Sequence, residues 1–254
     1  MRAVVKATPA LGGLGGAVWA LCQWEAKRAR NGPRPYEFAL PADGLVGRDG
    51  RRPLRITWLG DSLATGLGCD DVSETPAHLV ARMLERPVEV RMLAVPGSRA
   101  CHVLDEQVPQ LTGDEDLIVV CVGANDVANV TRRQEYAEQL DVILAATSHT
   151  PTIVLSLPDM GMADRMAEPL RSIAGAYARW YDGARRRVAA RHAHVVCVDI
   201  ASRPADVSRR AGRTMLCADR FHPGAQGYRV WAERIADACD RLLGTPQPQI
   251  LRTA

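Results

Sequence analysis

One serine, one aspartate and one histidine could together form the reacting group of a hydrolase. Ser62 lies within residues 59–64 (LGDSLA), after an apolar run and before a glycine-containing turn. A serine hydroxyl is a weak nucleophile near neutral pH and needs an adjacent base. His222 is the candidate base. Asp219, three residues earlier, is its candidate partner, because groups at i and i+3 lie on the same side of a helical turn.

The turn around Ser62 departs from the Gly-x-Ser-x-Gly elbow of many serine hydrolases, since Ala64 stands at the second glycine position. Taken alone, this turn is also compatible with an ordinary strand end. The order Ser, Asp, His along the chain is that of other α/β hydrolases. In such a set, Asp219 would hold the imidazole in one tautomer and stabilise the imidazolium.

Strand-like and helix-like runs alternate from residue 54 onward. The strand-like runs are 56–59, 88–95, 117–122, 152–157 and 194–200. The helix-like runs are 76–84, 103–111, 134–148, 167–190 and 225–243. Five apolar strands alternating with helices predict a parallel sheet covered on both faces. Reactive groups in such sheets gather at the carboxyl ends of the strands.

The two longest helices each show an apolar stripe at helical spacing. The stripe in run 167–190 predicts one buried face formed by Leu170, Ile173, Ala174, Tyr177, Trp180, Ala184 and Val188. The last helix has the same pattern at Tyr228, Trp231, Ile235, Cys239 and Leu242. The basic run 185–187 lies on the first of these helices and is interpreted as part of its solvated face.

Four short blocks in order give the sequence a resemblance to a known family. They contain Ser62, Gly97 after the second strand, Asn125 in residues 123–126 (GAND), and His222 in residues 219–223 (DRFHP). Over roughly residues 54–243 the chain resembles the SGNH hydrolases, the GDSL-type esterases and lipases. The resemblance implies a three-layer α/β/α fold with a flavodoxin-like, five-stranded parallel sheet, and a metal-independent serine esterase without a cofactor.

The resemblance also implies an oxyanion hole built from three donors. These are the backbone N–H of Ser62, the backbone N–H of Gly97 and the side-chain amide of Asn125. Asp61 and Asp126 beside them are interpreted as residues that order their loops through hydrogen bonds to backbone. Met160, Met162 and Met166 follow the fourth strand; they would either form an adaptable apolar wall of the site or pack beneath the long helix.

Composition and charge are those of an ordinary globular α/β protein. The chain has 254 residues, a net charge of +3 and scattered arginines, so nothing indicates a nucleic-acid partner. Seven cysteines are present without a Cys-x-x-Cys pair. Cys121, Cys197 and Cys239 are expected to be buried thiols. Cys69, Cys101 and Cys217 flank the motifs, and a disulfide between two of them is left open.

The ends of the chain divide it further. Residues 1–31 combine an apolar run rich in Gly and Ala with basic flanks. Residues 32–53 are rich in Gly and Pro and are interpreted as an irregular linker. The hydrolase domain is expected over residues 54–243, followed by a tail at 244–254. The first segment is short for a membrane span. It predicts a signal or membrane anchor, and so an exported or membrane-anchored protein; a helix packed on the domain of a cytoplasmic protein is the alternative.

The expected substrate is a small or lipid-like acyl ester with a short to medium chain, since no aromatic sugar platform is evident. Three alternatives share the same residues. They are an O-acetyl esterase of cell-envelope carbohydrate, an acyltransferase that uses an acceptor other than water, and a membrane-tethered binding protein that has lost turnover. Oligomeric state is not predicted.

Overall fold

The computed structural model describes Leu21 and residues 39–201 and 213–244. The predictions for the N-terminal segment, for the first part of the linker and for the C-terminal tail after Gly244 lie outside these residues, apart from Leu21. Within the described part of the chain, no helix is both long and apolar enough to cross a membrane.

A six-stranded sheet forms the centre of the molecule. Its strands are β1 (Gly44–Val46), β2 (Leu54–Gly60), β3 (Val88–Met92), β4 (Leu117–Cys121), β5 (Thr152–Leu155) and β6 (Val195–Val198). Their spatial order is β1-β3-β2-β4-β5-β6. All neighbours are parallel except β1, which pairs antiparallel with β3. The five parallel strands are those expected from the sequence, and the predicted α/β/α fold is confirmed.

The extra strand β1 corrects the interpretation of residues 32–53 as irregular throughout. Gly44–Val46 pairs with Val88–Val90 at the edge of the sheet. Only three residues long, and flanked by glycines and a proline-rich stretch, it carries too little apolar periodicity to stand out in the sequence. Its antiparallel pairing closes the β3 edge, which protects that edge from pairing with other chains.

Helices cover both faces of the sheet. They are α1 (Pro76–Met83), α2 (Ala100–His102), α3 (Ala124–Ala128), α4 (Arg133–Ala146), α5 (Leu170–Ala189) and α6 (Ala225–Leu243). A π-helix, Val103–Gln107, continues α2, and short 3₁₀ turns occur at Val72–Glu74, Val108–Gln110, Met160–Met162 and Arg213–Met215. The short helix α3 was not anticipated, because a turn of five residues has no apolar period of its own.

Alternate residues of β4 point to two separate cores. Leu117 and Val119 pack with β2, α1 and α6 on one face. Ile118 and Val120 pack with α4 and α5 on the other. All five residues of β4 are buried, as expected for a central parallel strand covered on both faces. The central position of β2 and β4 therefore gives the site a rigid support.

Helix α5 buries only part of the predicted apolar stripe: Ala184 and Val188 are buried, and Leu170, Ala174 and Tyr177 pack against the core. Ile173 and Trp180 are about half exposed, at 48% and 52%. Arg185, expected in solvent, is 1% exposed instead. Its Nε donates to Asp182 Oδ1 at 2.6 Å, and this partner one helical turn away compensates the buried charge. The stripe of α6 is confirmed, with Tyr228, Ile235 and Cys239 fully buried.

Cysteine burial follows the layers of the fold. Cys121 and Cys239 are buried as expected, but Cys197 is exposed, because β6 is an edge strand. Cys69, Cys101 and Cys217 are free thiols. Of the three methionines, Met160 and Met166 are buried in the core beneath α5, so the packing alternative is the one the structure supports for these two.

The close approach of Gly60 on β2 to Cys121 on β4 leads to a first prediction. Gly60 has φ +140°, and a Cβ there would lie 2.0 Å from the Cys121 carbonyl oxygen. We expect Gly60→Ala to lower the free energy of unfolding by about 3 kcal/mol or more, from overpacking and backbone strain together.

Gly44→Ala is the matched control for this prediction. Gly44 has φ +134°, but a Cβ at this position would have no other atom within 4 Å. The variant therefore isolates the backbone strain, about 1–2 kcal/mol. Urea unfolding of both variants measures the difference, and equal losses would contradict the account of Gly60.

Candidate active site

The structure brings Ser62, His222 and Asp219 into one hydrogen-bonded chain. Ser62 Oγ lies 3.0 Å from His222 Nε2, and His222 Nδ1 lies 2.6 Å from Asp219 Oδ2. An ionised carboxylate can only accept hydrogen bonds, so Nδ1 carries the hydrogen. In the neutral imidazole the other ring nitrogen, Nε2, then has its free electron pair facing the serine hydroxyl.

Ser62 is held at the point where β2 leaves the sheet. The Asp61 N–H donates to the Cys121 carbonyl at 3.1 Å, and the turn closes through Leu67 N–H to the Ser62 carbonyl at 3.0 Å. Tyr228 Oη on α6 donates to the Leu67 carbonyl at 2.9 Å. The strand order reverses at β2, which has β3 on one side and β4 on the other, and this makes its carboxyl end the switch point where ligands bind in open α/β sheets.

His222 and Asp219 are positioned by a tight loop before α6. Cys217 N–H donates to the His222 carbonyl at 2.9 Å, and Leu216 and Pro223 form a β-bridge. Arg220 adopts φ +60°, which turns the chain so that the N–H groups of Phe221 and His222 both reach Asp219 Oδ1. Such a strained, non-glycine backbone is typical of functional loops.

The charge of Asp219 is strongly stabilised. Burial by itself would raise its pKa, but hydrogen bonds from His222 and Cys217 hold the pKa well below its usual range. Burial raises the pKa of the Cys217 thiol to about 12, so the thiol stays protonated and donates to Asp219 Oδ1 at 3.0 Å. Asp219 is therefore a fixed anion behind the imidazole.

The loops carrying Ser62 and His222 are in direct contact. A Cβ on Gly68 would lie 2.4 Å from the Pro223 carbonyl oxygen and 3.0 Å from Cys217 Sγ. Gly68 has φ +110°, a conformation that side chains rarely permit. The 3.0 Å approach of serine to histidine therefore depends on a glycine six residues after the serine.

The three predicted oxyanion donors differ in the hydrogen bonds that they already make. Within residues 39–201 and 213–244, neither the Ser62 nor the Gly97 backbone N–H donates a hydrogen bond. Gly97 is exposed, with φ +86° and open space beside it. Asn125 Nδ2, by contrast, already donates to Asp61 Oδ2 and to the Ser98 carbonyl, each at 3.1 Å.

Asp61 and Asp126 do order their loops, as predicted. The Leu63 N–H donates to Asp61 Oδ1 at 2.9 Å, and the Ala100 N–H donates to Asp126 Oδ2 at 3.0 Å. Sequence reasoning missed the additional contact between Asp61 and Asn125. Burial raises the pKa of Asp61 to about 7, against the opposing effect of the Leu63 N–H. Besides Asp219, a second buried carboxyl group, that of Asp61, is thus present next to Ser62 in the sequence.

Comparison with known proteins bears on this geometry. Residues 58–230 match the model of the GDSL-like lipase/acylhydrolase family. This chain belongs to that family. The prediction of an SGNH, GDSL-type carboxylic ester hydrolase is confirmed at the level of the family.

The sequence identity between this GDSL-like hydrolase and individual relatives is low. The GDSL-like esterase Rv1075c of Mycobacterium tuberculosis is 28% identical over an alignment of 238 residues, and the match covers 84% of this chain and 75% of the relative.

Two solved structures have the same fold. The lipase/acylhydrolase of Enterococcus faecalis has a TM-score of 0.58 and 20% identity, covering 74% of this chain and 95% of its own. Phospholipase A1 of Streptomyces albidoflavus has a TM-score of 0.56 and 18% identity, covering 74% and 99%.

The depressed pKa of Asp219 predicts how stability depends on pH. Its contribution is complete above the pKa of an unfolded aspartate, about 4, and is lost as the pH falls below that value. At pH 7 we expect Asp219→Asn to lower the unfolding free energy by about 1–3 kcal/mol, because charge-assisted hydrogen bonds are lost.

Urea unfolding of wild type and Asp219→Asn between pH 7 and about pH 3 measures this effect. The difference between the two proteins should shrink steadily as the pH falls below about 4. Asp105→Asn, at an exposed position, is the control. A difference that stays constant across this range would contradict a depressed pKa at Asp219.

Proposed function

We propose that this GDSL-like hydrolase is a serine esterase with Ser62 as nucleophile, His222 as general base and Asp219 as the group that orients the base. The hydrogen-bonded chain from Ser62 Oγ through His222 to Asp219 carries the proposal. The free electron pair on Nε2 faces the hydroxyl whose proton must leave. Asp219 compensates the positive charge that the imidazole then acquires.

The proposed reaction has two halves. Ser62 Oγ attacks the ester carbonyl carbon while His222 Nε2 takes the hydroxyl proton. The same proton passes to the leaving alkoxide as the C–O bond breaks, which releases the alcohol and leaves an acyl-enzyme on Ser62. A water molecule then loses a proton to Nε2 and attacks the acyl carbon. Collapse of that intermediate returns the proton to Ser62 and releases the acid.

The developing oxyanion needs fixed donors. The Ser62 and Gly97 N–H groups are available, because neither is used by a described residue. For Asn125, Nδ2 would have to exchange the neutral Ser98 carbonyl for the charged oxygen of the intermediate. That exchange is favourable, since hydrogen bonds to ionised oxygen are stronger than those to a neutral carbonyl. Asp61 would keep the other hydrogen of Nδ2 and so hold the amide in place.

For the substrate we propose small or lipid-like acyl esters with short to medium chains. Val95, which precedes the Gly97 turn, is 49% exposed and offers an apolar surface beside the proposed oxyanion donors. Two proteins of the same fold are named a lipase/acylhydrolase and a phospholipase A1, names that denote action on lipid esters. Export or membrane anchoring through the N-terminal segment stays a prediction. Either one would bring the site close to lipid substrates.

Hydrolysis of p-nitrophenyl esters from acetate to palmitate tests the nucleophile. We expect activity highest on short to medium chains, and a loss of at least about 10³-fold in kcat for Ser62→Ala, because the acyl-enzyme no longer forms. Circular dichroism checks that the variant is folded.

Two outcomes would redirect the proposal. Turnover of acetylated polysaccharide in preference to simple esters would favour the carbohydrate O-acetyl esterase. Equal rates for wild type and Ser62→Ala on every ester would contradict the serine mechanism, and would favour a protein that binds without turnover. Product analysis with added alcohols distinguishes an acyltransferase, since the acyl group would then appear on the alcohol.

A further prediction concerns the proposed oxyanion hole. We expect Asn125→Ala to lower kcat by about 10²- to 10³-fold with little change in KM, because the lost donor acts mainly in the transition state. Asn129→Ala is the matched control: its exposed amide contacts only the Asn125 carbonyl among the described residues. Steady-state kinetics on one ester compares the two, and equal effects would contradict an oxyanion role for Asn125.

A further inference from the structure

A buried glutamine lies on the otherwise apolar face of the helix that follows the Gly97 loop. Ala100 and Val103 share this face and are fully buried, and Gln107, at the end of the π-helix, is 1% exposed. A carboxamide removed from water needs hydrogen-bond partners, or it destabilises the fold. π-Helical turns frequently occur at functional sites.

The Gln107 carboxamide binds the last residue of β2 at both of its backbone groups. The Gly60 N–H donates to Gln107 Oε1 at 2.8 Å. Gln107 Nε2 donates to the Gly60 carbonyl at 2.9 Å. The side chain thus replaces a neighbouring strand at the point where β2 turns toward Ser62, two residues later.

The same side chain also reaches the loop that carries Gly97. Gln107 Nε2 lies 3.3 Å from Ser98 Oγ. The Val95 N–H donates to the same Gly60 carbonyl at 3.1 Å. The buried carboxamide of Gln107 therefore joins Gly60, at the end of β2, to Ser98 in the loop of Gly97. The carbonyl of the same Ser98 accepts the hydrogen bond from Asn125.

We propose that Gln107 is a positioning residue for the oxyanion hole, fixing the distance between the Ser62 and Gly97 N–H groups. It acts through the Gly60 backbone and the Ser98 side chain, and it does not touch the substrate. This inference rests on the proposed esterase function. Neither N–H lies in a helix or a strand, so contacts between the two loops are what hold their relative positions.

Two variants separate positioning from simple stabilisation. Gln107→Met keeps the length of the side chain and removes all three contacts. We expect kcat to fall by about 10- to 100-fold with KM changed less than about threefold, because misplacement of donors affects the transition state more than substrate binding. Rates are normalised to folded enzyme by active-site titration with a fluorophosphonate.

Gln107→Glu gives a signature in the pH profile. A protonated glutamic acid donates one O–H to the Gly60 carbonyl and accepts from the Gly60 N–H, as the amide does. The ionised form places a negative oxygen against that carbonyl instead. Burial raises the pKa of the introduced group above the usual value of about 4.3. The ratio of variant to wild-type kcat should therefore fall by about tenfold as the pH rises from about 5.5 to about 8.5.

Ser156→Ala is the matched structural control. Ser156 is 2% exposed and accepts hydrogen bonds from Ile200 N–H and Ala201 N–H, in the segment after β6, at 2.9 and 3.1 Å. It should lose thermal stability while its kcat per folded enzyme stays within about twofold of wild type, because it removes buried bonds without moving the donors.

The outcomes distinguish this inference from the proposed function. If wild type hydrolyses esters and Ser62→Ala does not, the function holds. Wild-type kcat in Gln107→Met, or a ratio for Gln107→Glu that does not change with pH, would then overturn the positioning role alone. If Gln107→Met does not fold, the change in the Gln107→Glu ratio between low and high pH still gives the answer. If wild type itself hydrolyses no ester, the proposed function has failed first.

Discussion

The structure depends on the contact between two loops that are 160 residues apart in sequence. Ser62 at the end of β2 and His222 before α6 meet at 3.0 Å. The approach requires Gly68, which leaves room for the Pro223 carbonyl, and it is held by Tyr228, which links α6 to the turn after Ser62. The sheet supplies one side of this contact and the last helix the other, so the site exists only in the complete fold.

Polar groups around this contact are buried and connected. Asp219 receives hydrogen bonds on both oxygens, Asn125 is held between Asp61 and the Ser98 carbonyl, and Gln107 holds Gly60. Donors that are already oriented need no reorganisation when charge develops, which is the main electrostatic advantage of an enzyme site over water. The energetic cost of burying these polar groups is offset by the two apolar cores on either side of the sheet.

The central features could be predicted from sequence because they depend on local pattern. The parallel strands follow from apolar runs, and the last helix follows from its stripe ending at a glycine with φ +65°. The buried face of α5 could be predicted only in part, because Arg185 is buried beside its ion-pair partner Asp182, whereas charged residues usually face solvent. Strand β1 was missed for lack of length.

The site was predicted in its residue types more fully than in its contacts. Ser62, Asp219 and His222 could be singled out because the proposed ester hydrolysis requires those side-chain types. The signal for Gln107 was a single polar residue on an apolar face, seven positions after Ala100, and its meaning depends on a partner 47 residues away. Asn125 Nδ2 makes two hydrogen bonds, to Asp61 and to the Ser98 carbonyl, and no spacing in the sequence predicts these tertiary contacts.

Intact-protein and peptide mass spectrometry after treatment with a fluorophosphonate tests the central claim most directly. The account predicts one adduct, located on Ser62, with labelling greatly slowed in His222→Ala although the serine is still present. A single adduct on another residue, or unchanged labelling in His222→Ala, would show that the 3.0 Å contact between Ser62 and His222 does not activate the serine.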